Sequence, residues 1–384
     1  MSSRPSLETV YETLMAWCRA DEYRGYDPFD GLNSRLLQWL PLRHFRLFRF
    51  GWIQIIKRFP IDLRPVLQVP KTINPKAIAL FALAELSAGS GRDPTDLVRM
   101  LKSLSFSIGD GKAAYGYNFD WQSSVFYAPL GTPTIVPTAI AARALTENFV
   151  RSGNVEDLDL ARQLCRFVVE DLNRPFETES EVCFSYTPLD NSMIYNASLL
   201  AAETLASVGK IDGSEHYLDL ATRAARFVIE RQEPNGAWRY GPSSQHKWID
   251  SFHTAFVLSS LNRILKAVPE MESAERAIKK GMGYWIDSFF LSDGTPKYFA
   301  EQTSPVDIHS AGTAIAMLAE LKAYDERALP LAGRVADWTI LNMRDPAGFF
   351  YYQKRRMMTV KTPFMRWGQA WMAYGLAKLI AAAR

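Results

Sequence analysis

A chain of 384 residues, 48% apolar and 22% charged, has the material for a large globular core. Its formal net charge of +3 is too small to suggest nucleic acid, and Cys18, Cys165 and Cys183 lack the spacing of a zinc site or disulfide framework. No stretch reaches the roughly 18 apolar residues of a membrane span, and MSSRPSLETVYETL has no apolar run behind a basic head. A cytoplasmic protein with no signal peptide, metal or cofactor is expected.

The first informative segment is GYDPFDGLNS, residues 25–34. Pro28 and Gly31 mark a turn, and Asp27, Asp30 and Asn33 place three oxygen-bearing side chains on it. Calcium coordination is conceivable but the spacing is not that of an EF-hand, so these side chains are expected rather to contact a sugar, brace the loop or serve the turn. Next, RHFRLFRFGWIQIIKRFPIDLRP mixes Arg43, Arg46, Arg49, Lys57, Arg58 and Arg64 with Phe45, Phe48, Phe50 and Trp52. It reads as an outer helix with its cations in solvent; the alternative is a helix lying on an anionic membrane, near lipid-linked glycans.

From here the chain repeats. Leu86, Leu145, Leu205, Leu261, Leu321 and Leu379 follow one another at 59, 60, 56, 60 and 58 residues. Each closes an alanine-rich segment apolar on nearly every face, such as KAIALFALAEL, NASLLAAETL or GTAIAMLAEL. Between them lie amphipathic stretches, beginning with DPTDLVRMLKSL and VEDLDLARQLCRFVVEDL, whose apolar residues recur at three and four. A period this long means one outer and one inner helix per unit, with neighbours sharing a core. Six units predict an all-α fold, an (α/α)6 toroid. Residues 1–384 then form a single domain, with residues 1–70 supplying helices and a loop that complete the ring.

Connections from outer to inner helix are long, at roughly residues 106–133, 173–194, 233–252, 291–309 and 344–365, so they gather over the inner-helix N-termini. That face is expected to bind ligand, helped by a ring of unpaired backbone N–H groups. Each loop makes a turn and then sets aromatics at alternate positions, the period of a short hairpin, ending at Tyr117, Tyr186, Tyr240, Tyr298 and Tyr352. Polar groups follow: Asn118, Trp121, Asp190, Lys247, Trp248, Asp250 and His253, then Asp307, His309, Arg366 and Trp367.

Aromatics among carboxylates, amides and imidazoles suit a polysaccharide or oligosaccharide substrate. Asp27, Asp30, Asn33, Asn118, Trp121, Tyr186, Asp190, Trp238, Tyr240, Trp248, Lys297, Tyr298, Arg366 and Trp367 are the expected binding residues. Asp250, His253, Asp307 and His309 are the expected catalytic ones. Hydrolysis would use Asp250 and Asp307 as paired carboxylates. A lyase or C5-epimerase would use His253 or Tyr298 as base, with Arg366, Lys297 or Asn118 facing the anionic intermediate. A silent glycan-binding subunit of a synthesis machine is the non-enzymatic alternative.

RFVIERQEPNGAW resembles the QW motif of terpenoid cyclases and prenyltransferases, with Gln232, Gly236 and Trp238 in its three positions. That resemblance implies a toroid and allows a terpenoid-cyclase-like enzyme. The acid motif of that family is absent, and Asp157 and Asp159 read as solvated residues of an outer helix. The whole chain is more similar to the six-hairpin glycosidase-like superfamily. GYDPFDGLNS, WIDSFHTAFVL and RWGQAW resemble proteins associated with bacterial exopolysaccharide biosynthesis, which implies a carbohydrate substrate without fixing the bond changed.

Overall fold

The computed structural model describes residues 5–39, 41–87, 93–123 and 126–384. Its helices in chain order begin with α1 (Leu7–Ala20), α2 (Arg46–Arg58), α3 (Pro75–Ser87), α4 (Thr95–Ser103), α5 (Ile135–Ser152), α6 (Val155–Glu170) and α7 (Tyr195–Asp212). They continue with α8 (Glu215–Ile229), α9 (Ser251–Ala267), α10 (Glu272–Phe289), α11 (Ile308–Glu320), α12 (Ala328–Met343) and α13 (Ala370–Ala383). A π turn over Met365–Gln369 leads into the last of these.

Helices α3, α5, α7, α9, α11 and α13 pack side by side in that order, and α13 returns onto α3, closing the ring. α1, α4, α6, α8, α10 and α12 form the outer layer, so the toroid read from the leucine period is the observed fold. Burial follows the two sequence patterns. α3 is buried at every position from Pro75 to Glu85, whereas α8 buries only the stripe around Leu220, Ala224 and Phe227. Small residues let the inner helices approach closely: a Cβ on Gly375 of α13 would lie 2.7 Å from the Gly312 carbonyl of α11.

The loop tyrosines close the inner helices. The Tyr186 carbonyl accepts the first N–H of α5, from Ile135, at 3.1 Å. Tyr240, Tyr298 and Tyr352 do the same for Tyr195, Ser251 and Ile308, at 3.2, 3.0 and 3.0 Å. Tyr26 accepts from Met365 at 3.1 Å and carries the pattern across the seam. α3 starts on Pro75, which has no N–H to offer. Four of the loops thus cap the inner helix of the preceding unit. The first N–H of four inner helices and of the turn into α13 is taken by these carbonyls, so the expected ring of unpaired N–H groups is smaller than the sequence implies.

At the other end of the barrel, charges recur with the repeat. Arg143 of α5 pairs with Glu203 of α7, which reaches Arg263 of α9, which pairs with Glu320 of α11 at 2.6 Å.

Two expectations fail here. α2 is not an outer helix: it lies over the loop face, against the 3-10 turns Asp30–Asn33 and Pro41–His44 and the strand Trp121–Gln122. Asp157 is not solvated but fully buried, held by Asn148 at 2.6 Å and Lys102 at 3.2 Å. Among the described residues, strands are confined to the loops, as in the hairpin of Phe106–Gly109 with Lys112–Ala114. A further three-stranded sheet joins Val306–Asp307, Gln353–Lys354 and Thr359–Val360.

Candidate active site

The inner-helix N-termini surround a cavity of about 340 Å³. Each inner helix or its lead-in turn sends at least one side chain to it near its start, among them Lys76, Val136, Asn196, His253, His309 and Arg366. Loop aromatics build the wall. Tyr240 stacks on Trp248 at 4.5 Å and 20°, and its ring lies 4.5 Å from that of His253. Trp121 packs against Tyr186 at 5.5 Å.

Asp250 caps α9 and orients His253. One carboxylate oxygen accepts the backbone N–H of His253 at 2.9 Å, and the other accepts Nδ1–H at 2.7 Å. The carboxylate can only accept, so the hydrogen sits on Nδ1 and the Nε2 lone pair is left for the cleft. Asp250 itself is buried.

His309 starts α11. Its ring lies 4.0 Å from that of Trp367 at 24°, a stacked pair. Burial, followed by the nearby charges of Lys76, Arg366 and His253, holds its pKa well below the ordinary histidine range, so it is neutral at neutral pH. Asp307 positions this pair rather than facing the cleft. One oxygen accepts from the His309 N–H at 2.9 Å and Trp367 Nε1 at 2.8 Å, and the other from Gln353 Nε2 at 2.8 Å. It borders a neighbouring cavity with Gln353 and Tyr352, and the expected Asp250–Asp307 pair does not face one space.

Two lysines that were not among the expected site residues line the cleft beside Arg366. Lys76 is buried, with its ammonium over the rings of Phe256 and Trp371 at 5.3 and 5.5 Å. Burial, then Arg366, push its pKa well below the ordinary lysine value. Lys57 of α2 reaches in from above, 4.2 Å over Phe29 and 5.3 Å over Trp367. Burial outweighs the attraction of Asp307 and Asp27 and lowers its pKa to about 8. Asn196, also missed, is buried on the cleft wall, and its Oδ1 has no hydrogen-bond partner among the described residues.

Of the expected residues, Asp250, His253, His309, Trp121, Tyr186, Tyr240, Trp248, Tyr298, Arg366 and Trp367 meet at the cleft. Several others do not, for identifiable reasons. Asp27 makes a two-pronged bond to Arg366, at 2.5 and 2.8 Å, and Asp30 binds Arg64 at 2.6 Å. Asn33 donates to the Asn118 carbonyl at 2.9 Å, and the Asn118 amide bridges Asn74 and Thr72, so both brace loops. Asp190 closes its own turn onto Thr187 and Ser192. Lys297 donates to the Ala300 carbonyl at 2.6 Å. Trp238 is buried between outer helices, its Nε1 on the Val228 carbonyl at 2.9 Å. With Gln232 bonded to the carbonyls of Gly236 and Ala277, the QW-like segment is a helix-joining device.

No family model matches the sequence, and no curated protein matches it by sequence. Solved structures do match in fold. Cellobiose 2-epimerase from Bacillus thermoamylovorans superposes with a TM-score of 0.63 and 13% identity, covering 83% of this chain and 90% of that one. A possible member of the GH105 family from Salmonella enterica gives 0.67 and 10%, covering 99% and 96%. D-mannose isomerase gives 0.64 and 12% over the full length of both chains. The chain shares the toroid fold of these structures.

Proposed function

We propose that the protein is a carbohydrate epimerase or isomerase that moves a proton on the carbon beside a sugar's carbonyl or carboxylate group. The observation that carries this reading is the pair of imidazoles lining one cleft, His253 oriented by Asp250 and His309 held neutral. Nε2 of His253 takes the proton, the C–H electron pair moves into the adjacent carbonyl, and negative charge grows on its oxygen. Asp250 stabilises the imidazolium that forms. His309, as a neutral donor, and Lys76 face the developing oxyanion. When the imidazolium returns the proton to the former carbonyl carbon, while the neighbouring hydroxyl passes its proton to the former carbonyl oxygen, an isomer forms; when a solvent-derived proton enters the original carbon from the opposite face and His253 releases its own to solvent, an epimer forms.

Hydrolysis asks for two carboxylates, about 5 to 9.5 Å apart, free to give and take protons at the same bond. Among the described residues lining the cleft, Asp250 is the only carboxylate, and both its oxygens are engaged by His253. Two of the folds this chain resembles are named as a 2-epimerase and an isomerase, which fits without deciding the substrate. Lys57 and Arg366 favour an acidic sugar, the aromatic wall supplies stacking, and the Asn196 amide oxygen suits a sugar hydroxyl.

The test is product analysis over a panel of neutral and uronate mono- and oligosaccharides. A new epimer or ketose with the glycosidic bonds intact is expected. Newly released reducing ends without isomerisation would overturn the reading in favour of a hydrolase, and new absorbance of an unsaturated uronate in favour of a lyase.

A further inference from the structure

Helix α2 and its flanks expose apolar side chains that a helix of the outer layer would bury. Trp39 is 87% exposed, Leu47 85% and Ile61 69%, and Phe45, Phe50 and Ile55 are exposed with them. The helix is apolar on both sides. Ile53 and Ile56 are buried against the loop face, while Leu47 and Ile55, two turns apart, point away from it. An exposed apolar surface of this extent marks a site of contact with something apolar.

Charge says what that something is. Between Asp30 and Asp62 the sequence has no acidic residue, but it has Arg35, Arg43, Arg46, Arg49, Lys57 and Arg58. Of these, Arg35, Arg43, Arg46 and Arg58 are exposed beside the apolar side chains. Apolar residues interspersed with cations, with no acidic residue between Asp30 and Asp62, match an anionic lipid surface: the side chains enter the acyl boundary and the arginines meet headgroup phosphates. No described helix is long and apolar enough to cross a membrane, so contact would be at the surface.

We propose that this face of α2 docks the protein on an anionic bilayer, with the helix lying in the interface. The far side of the same helix carries Lys57 into the cleft, so a docked ring holds its cleft beside the headgroups. The docking stands independently of the reaction, because the exposed residues it uses lie outside the cavity.

Flotation of the full chain with vesicles tests it, using phosphatidylcholine alone and phosphatidylcholine mixed with phosphatidylglycerol. Binding to the mixed vesicles only, weakened by salt, is expected. The double variant Leu47→Glu/Ile55→Glu changes two exposed positions and should fold, as judged by an unchanged melting temperature. Its vesicle affinity should fall at least about tenfold, since each change also adds an anion. Failure of the wild type to float with mixed vesicles, or equal flotation of the double variant, would overturn the proposal. A concentration-dependent dimer, lost in the double variant without any lipid binding, would overturn it in favour of a second copy as the occupant.

Discussion

The carboxylate of Asp250 holds His253 twice, through the backbone N–H at 2.9 Å and through Nδ1 at 2.7 Å. Helix capping and imidazole orientation therefore rest on one side chain, and substitution can separate them. Asparagine caps about as well as aspartate, so Asp250→Asn should keep the fold and the melting temperature. Its amide must either accept from one partner or present a donor to the other. Facing Nδ1 with NH2 drives the ring hydrogen to Nε2 and removes the lone pair from the cleft. A fall in kcat of about 100-fold or more, with KM little changed, is the expected kinetic result. Unaltered turnover would reduce Asp250 to a cap.

His309→Phe separates stacking from donation at the second imidazole. A phenyl ring can keep the parallel contact with Trp367, so near-ultraviolet circular dichroism should change little. The lost donor should lower kcat by about 100-fold. Retained activity would leave His309 as packing beneath Trp367.

Lys57 predicts an unusual pH dependence. Its pKa, lowered to about 8, makes it cationic at pH 7 and neutral well before an exposed lysine would be. An anionic sugar binds the protonated form better, so affinity is full below pH 8 and falls as pH rises through it. Calorimetric titration with a uronate should show Kd rising about tenfold between pH 7 and pH 9. Lys57→Gln should bind weakly and flatten that profile. A wild-type profile already flat over this range would remove Lys57 from recognition.

The charge chain at the far end of the barrel bears on stability. Glu203 is buried and accepts from Arg143, from Arg263 and from Ser260 at 2.6 Å. Burial alone would raise its pKa, but the two arginines outweigh that and hold it below the ordinary glutamate value. Its stabilisation is present above the unfolded-state pKa and is lost as pH falls through the lower folded value. Glu203→Ala leaves buried guanidinium groups without their anion and should cost about 3–5 kcal/mol in urea unfolding at neutral pH. A cost below about 1 kcal/mol would mean that the arginines find other partners.

The toroid was legible because its signal is local and repeated. Leu145, Leu205, Leu261, Leu321 and Leu379 are all buried at the positions their period implies, and apolarity on every face separates inner from outer helices. The Asp250–His253 pair was legible for a related reason, three residues apart at the start of a helix. What depends on chain-distant partners was not. Nothing near Asp27 or Asn118 announces that Arg366 or Asn33 will engage it, and nothing in KAIALFALAEL announces that its Lys76 will line the cleft. The outer-helix assignment of α2 failed because amphipathic spacing shows that a helix has two faces without showing what each meets. The loop tyrosines were recognised as a series, but their carbonyls do the capping, and a side-chain pattern does not reveal backbone acceptors.

Hydrogen exchange from solvent into the sugar reports the proton step directly. With wild-type protein in deuterium oxide, the recovered sugar should carry deuterium on the carbon next to its carbonyl or carboxylate group. Asp250→Asn should slow that incorporation in parallel with its loss of turnover. A converted substrate with no deuterium at that carbon, or cleaved glycan as the sole product, would contradict proton transfer by His253.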